Sequence, residues 1–127
     1  MNRKILFGLL AFTLMTVLFS ACRVIDAASI PKNPAVHMGS ASFLVPSVTI
    51  KKGDKLDLID DVAVSHIIKN GTWNGATPVN ATESGAPTVN LSFTGSDTQS
   101  IGPFNQAGTF QIYCTIHGNM KLSIIVQ

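Results

Sequence analysis

The chain has 127 residues, of which 46% are hydrophobic and 13% charged, and a formal net charge of +2. That length gives room for one domain. Of the nine basic residues, Arg3 and Lys4 lie at the very start, so the rest of the chain carries seven basic against seven acidic residues. A formally neutral domain has no basic stripe to hold a nucleic acid. Taken in chain order, residues 1–21 open on those two cations, continue as an apolar run from Ile5 to Phe19 and end in small residues. This is the pattern of a secretory signal. The apolar run is shorter than the roughly 20 residues of a spanning helix, and an uncleaved anchor is the alternative.

The end of the leader, "LFSAC", resembles the bacterial lipobox, with Phe19 where leucine is commonest. The resemblance implies a lipid on Cys22, an anchor to the membrane and a location in the bacterial cell envelope. Residues 22–34 contain Pro31 and Pro34 and lack periodicity, which predicts a tether. The domain then runs over 35–127. With Cys22 at the processing site, a disulfide to Cys114 is disfavoured, and Cys114 is left as a lone thiol in an oxidising compartment.

From Ala35 onward, short runs of β-branched and aromatic residues alternate with Gly, Pro, Asn and Asp. After a first run holding His37 and Met38 come "SFLVPSVTI", "LDLID", "VAVSHII", "TVNLSF", "TQSIG", "GTFQIYC" and "KLSIIV". In "GTFQIYC", Phe110, Ile112 and Cys114 fall on one face, with Gln111 and Tyr113 on the other. No segment beyond the leader has helical periodicity. Seven or eight such strands with regular turn signals predict an all-β, antiparallel Greek-key sandwich. "NGTWNGATPVNATESGAPT" reads as one long loop, and Asp60 and Asp61 as a solvated turn.

The chemistry concentrates in "YCTIHGNM", where Cys114, His117 and Met120 follow one strand and precede the last. A trigonal blue-copper site takes two imidazoles and a thiolate, with a weak axial thioether. His66, ending a distant apolar run, can supply the second imidazole. Each residue alone has an ordinary reading: a core histidine, a Met filling the core, a buried inert thiol. Together they make the set one ion needs. His37 and Met38 are adjacent on a strand, face opposite ways and are poor partners for one ion. Trp73 reads as a packing residue or a wall near the site.

"DDVAVSHIIKNGTW" together with "GPFNQAGTFQIYCTIHGNMKLSIIVQ" resembles the cupredoxins, the plastocyanin- and amicyanin-like small blue copper proteins, over residues 36–127. The short Cys-x2-His-x2-Met spacing is the amicyanin form. The resemblance implies one copper cycling between Cu(I) and Cu(II), redox proteins as electron donor and acceptor, and a monomeric electron carrier that is not an enzyme. Two positions depart from the pattern. Ile116 stands where many relatives have proline, and Ile67 where many have an asparagine that ties the ligand loops together. Copper carriage or storage uses the same ligands and is the runner-up. A ligand-free adhesion module comes third. Nucleophilic catalysis by Cys114 and His117 lacks the helix N-terminus or neighbouring cation that activates such a thiol.

Overall fold

The computed structural model describes residues 32–127. The leader, Cys22 and the tether as far as residue 31 lie outside the described residues. Ten strands form: β1 (Ala35–Met38), β2 (Ser47–Ile50), β3 (Leu56–Asp60), β4 (His66–Asn70), β5 (Thr72–Asn74), β6 (Thr77–Val79), β7 (Asn90–Phe93), β8 (Thr98–Ile101), β9 (Gly108–Cys114) and β10 (Lys121–Val126). The described residues include no helix, and none long and apolar enough to cross a membrane. Burial follows the strand period of two: in β3 and β4 alternate residues are buried, and in β10 Leu122, Ile124 and Val126 turn inward while Lys121, Ser123 and Ile125 do not.

Three strands, in the order β1-β3-β8, make one sheet, and five, β2-β10-β9-β4-β7, make another. Met38, Leu56, Leu58 and Ile101 from the first share a buried core with Ile68, Phe93, Phe110, Ile112, Leu122 and Ile124 from the second. This is the packing of a β-sandwich. The predicted all-β sandwich is found, with its antiparallel character corrected at two pairs, because β1 pairs with β3, and β2 with β10, in parallel. β2 leaves for the five-stranded sheet between β1 and β3, so the chain crosses over before returning, which parallel pairing requires. Hydrophobic alternation reports which face is buried and carries no information on a neighbour's direction.

The long loop is also corrected. β5 and β6 form a two-stranded hairpin within it, closed at Asn74 and Thr77 around Gly75, whose φ is 58°. Gly75 takes the first of the two central turn positions, with Ala76 the second, and glycine is the residue a type II′ hairpin turn favours there, so the signal was present in the sequence. Beyond the hairpin, the buried side chain of Asn70 fixes the return path: its Nδ2 donates to Pro87 O at 3.0 Å, and its Oδ1 accepts from Val89 N at 2.7 Å. A buried amide with both ends paired keeps its desolvation cost covered. The hairpin lies over Tyr113, with the Trp73 ring edge-on at 5.9 Å and the Tyr113 hydroxyl bonded to Asn80 Oδ1. The last residues before β1 are fixed to β3, since Asn33 Nδ2 donates to Asp57 Oδ1 and Asp57 N to Pro34 O, both at 2.9 Å.

Candidate metal centre

β4 and β9 are neighbours in the five-stranded sheet, with Ile68 directly opposite Cys114. His66 is two residues from Ile68 and so on the same inward face, diagonal to Cys114. The register therefore brings together two residues 48 apart in sequence: His66 Nδ1 is 3.8 Å from Cys114 Sγ, and both side chains are fully buried. β9 ends at Cys114, and the connection to β10 closes as Cys114 N donates to Met120 O at 2.9 Å and Met120 N to His117 O at 3.3 Å. Asn119 takes a left-handed conformation at φ 63° in this turn, which asparagine tolerates better than most residues. The turn folds His117 back over the cysteine, with Nδ1 3.4 Å from Sγ. The two imidazole rings lie 4.9 Å apart and inclined by 57°.

The donor atoms of His66, Cys114 and His117 all fall within 4.8 Å of one another. Met120, buried to 1% exposure, shares the turn and is joined to Cys114 and His117 by the backbone. Two nitrogens and a thiol sulfur at this separation, with a thioether in the same loop, are the donor chemistry that suits copper. His117 is half-buried and Ile116 beside it is 50% exposed, so the ligand loop presents an uncharged edge to solvent.

Burial, above all, holds the His66 imidazole below its usual pKa, and His117 adds to this, while Asp60 and the backbone of Gly39 oppose it. The desolvated ring disfavours the charged form, which favours the neutral imidazole that a metal ligand must be. The position after His66 departs from the expected asparagine, yet a tie between the loops exists. Thr115 N donates to Ile67 O at 2.8 Å, so the backbone of Ile67 makes the connection.

The remaining residues sort clearly. Trp73 does more than pack: its Nε1 donates to Cys114 O at 3.0 Å in a buried bond. No local spacing links a tryptophan to a cysteine 41 residues on, and only the hairpin's placement reveals the contact. His37 stays apart from the cluster, with Nδ1 2.9 Å from each carboxylate oxygen of Asp61 at the surface; exposed pairs of this kind contribute little. Its neighbour Met38 is buried in the core, as opposite-facing strand residues require. The solvated turn at Asp60 and Asp61 is half corrected. Asp61 is exposed, but Asp60 is the buried last residue of β3 and its Oδ1 lies 3.8 Å from His66 Nε2.

No family model and no curated protein sequence matches the chain. Solved structures do. A crystal structure of amicyanin from Paracoccus versutus is 25% identical, matches 79% of this chain and 87% of its own, and has a TM-score of 0.58. The domain has the cupredoxin fold. A proline-to-glycine variant of amicyanin, described as a reduced Cu(I) form at pH 4, is 19% identical with a TM-score of 0.57 and covers 79% of this chain and 88% of that one. An oxidised amicyanin with a methionine replaced by leucine gives the same identity, coverage and score. At such identities the likeness of the last two speaks for the fold alone. In this fold His66 opens β4, Cys114 ends β9, and His117 and Met120 lie on the connection from β9 to β10.

Proposed function

We propose that this domain is a type 1 copper protein that carries single electrons between redox proteins, as a monomer, with His66, Cys114, His117 and Met120 as its ligands. The observation that carries the reading is the convergence of two imidazole nitrogens on one buried sulfur, 3.4 and 3.8 Å away, one from the turn that follows the cysteine and one from a strand 48 residues upstream. Copper held there supplies a one-electron couple. The chain's part is to keep the donors fixed through both oxidation states. His66 is set by the β4–β9 register and Cys114 by that register and the Trp73 bond to its carbonyl. His117 and Met120 are set by the closed turn. The half-exposed His117 gives a partner an approach to the site through one ring edge.

His66 and Cys114 are inaccessible to a competing ligand, which favours an electron carrier over a protein that hands its copper on. The test is an absorption spectrum after adding Cu(II) to the domain, followed by reduction, exposure to a Cu(I) chelator and reoxidation. An intense visible band that returns in full is the expected outcome. A colourless protein would remove the copper reading, and a band lost quantitatively to the chelator would transfer the protein to copper carriage.

We further propose that the chain is exported and tethered by lipid at Cys22. The support is the leader sequence, which lies outside the described residues. A lipoprotein with more than one acyl chain binds stably where a single chain does not. In a bacterial host the full chain should fractionate with membranes and Cys22→Ser should not; wild-type chain in the soluble exported fraction speaks against the tether.

A further inference from the structure

Asp60 is a buried acid without an ordinary partner. It ends β3 at 2% exposure, with its side chain wholly inaccessible. Its Oδ1 accepts from Val62 N at 3.2 Å, while Oδ2 has no hydrogen-bond partner. Among the described residues, the one basic group within 4 Å of it is His66 Nε2, at 3.8 Å, and that nitrogen is itself buried and lacks a hydrogen bond of normal geometry. Burying a carboxylate away from compensating charge costs several kcal/mol. Acids left in that position in a native fold call for an explanation.

The explanation lies on the far side of the ring. His66 presents Nδ1 to Cys114 and Nε2 to Asp60, so one imidazole separates the carboxylate from the donor cluster. We propose that Asp60 is a positioning and charge-setting residue for the metal centre: it orients the His66 ring through Nε2–H and stabilises positive charge held at the Nδ1 side. A carboxylate behind a metal-bound histidine both fixes its tautomer and raises its basicity. This inference rests on the copper reading above and adds a direction to it. A copper(II) ion with one thiolate carries a net single positive charge, and reduction removes it. A fixed negative charge one ring away therefore favours the oxidised state and lowers the reduction potential. The surroundings are poor in water, so the interaction is weakly screened. The backbone of Gly39 also acts on His66, but it is neutral and unchanged by a substitution at 60.

Asp60→Asn isolates the charge, because the amide oxygen can still accept from Val62 N and the shape is kept. Asp61→Asn removes the same charge one residue away, at the surface, and serves as control. Two quantities are measured at fixed neutral pH: the reduction potential of the copper-loaded domain, and the affinity of the metal-free domain for Zn(II), a divalent probe with no redox chemistry. Asp60→Asn should shift the Cu(II)/Cu(I) equilibrium at least tenfold toward Cu(I), a rise of about 59 mV, and weaken Zn(II) binding at least about tenfold on the same grounds. Asp61→Asn should change either by less than about threefold, as expected of a screened surface charge. Asp60→Ser, which removes the charge with different packing, must move both quantities in the same direction. A blue wild-type domain whose Asp60→Asn variant keeps its potential and Zn(II) affinity, or moves no more than Asp61→Asn, overturns the inference. Failure of the copper reading shows instead in the wild type, as a protein without the visible band.

Discussion

Cys114→Ser should abolish the visible band outright while leaving the sandwich folded. The band depends on charge transfer from a thiolate to copper, and serine offers a hard, poorly ionised oxygen in its place. Cys114 is the single thiol in the donor cluster with the two imidazoles, and the described residues hold no second free cysteine to substitute for it. The fold tolerates the change because serine nearly matches cysteine in volume and the backbone bonds of residue 114, to Met120 O and from Trp73 Nε1, do not involve the side chain. The cost is one hydroxyl in a fully buried position, about 1–3 kcal/mol if it finds no partner. A Cu(II) titration followed by visible absorption, beside a far-ultraviolet circular dichroism spectrum, separates the two effects. Retained colour in a folded variant would dismiss Cys114 as the ligand.

The candidate site was legible in the sequence because its three loop residues are local. Cys114, His117 and Met120 sit at fixed intervals between two strands with clear alternation, and the turn that folds them together is set by the same few residues. His66 was legible for a different reason. Only three histidines exist in the chain, and His66 falls in an apolar run; β4 opens on it and buries it. What brings it to the cysteine is the pairing of Ile68 with Cys114. Register of this kind is a tertiary property, and no window of the sequence contains it.

The parts that were not legible share that character. Asp60 follows "LDLI" and precedes another acid, a composition that reads as solvated, yet its position as the fifth residue of an alternating strand buries it with Leu56 and Leu58. The alternation was visible; the expectation that acids stay in water outweighed it. Trp73 could be read as a packing residue, but its bond to the carbonyl of Cys114 depends on how the β5–β6 hairpin folds over β9. The parallel pairings of β1 with β3 and β2 with β10 reflect crossovers between sheets. Those are decided by the whole core and by no strand's own pattern.

The hairpin's seat depends on one residue, and substituting it should cost the domain much of its stability. Gly71 joins β4, which carries His66, to β5, which carries Trp73. Its φ is 125°, a conformation glycine adopts without the strain a side chain would incur. A Cβ there would overlap the carbonyl oxygen of Val79 and stand only 3.0 Å from Ala81 N and from Tyr113 Cε1. The first two are backbone and the third belongs to a buried ring, so nothing nearby can swing aside. Gly71 N also donates to Gln111 O at 3.0 Å, which fixes the turn from the other side. Gly71→Ala should therefore combine backbone strain with overpacking and lose more than about 3 kcal/mol, a large share of the roughly 5–15 kcal/mol that holds a domain folded. Gly53→Ala separates the two contributions: its φ is 93°, but a Cβ would meet nothing within 4 Å, so strain alone should cost about 1–2 kcal/mol. Gly118→Ala in the ligand loop, with open space around a Cβ and a φ outside the left-handed region, should stay within about 0.5 kcal/mol of wild type. Denaturant midpoints of the three variants give the order directly. If Gly71→Ala unfolded no sooner than Gly53→Ala, the hairpin would not be packed against Tyr113 as described, and the Trp73 bond to the metal-site cysteine would lose its support.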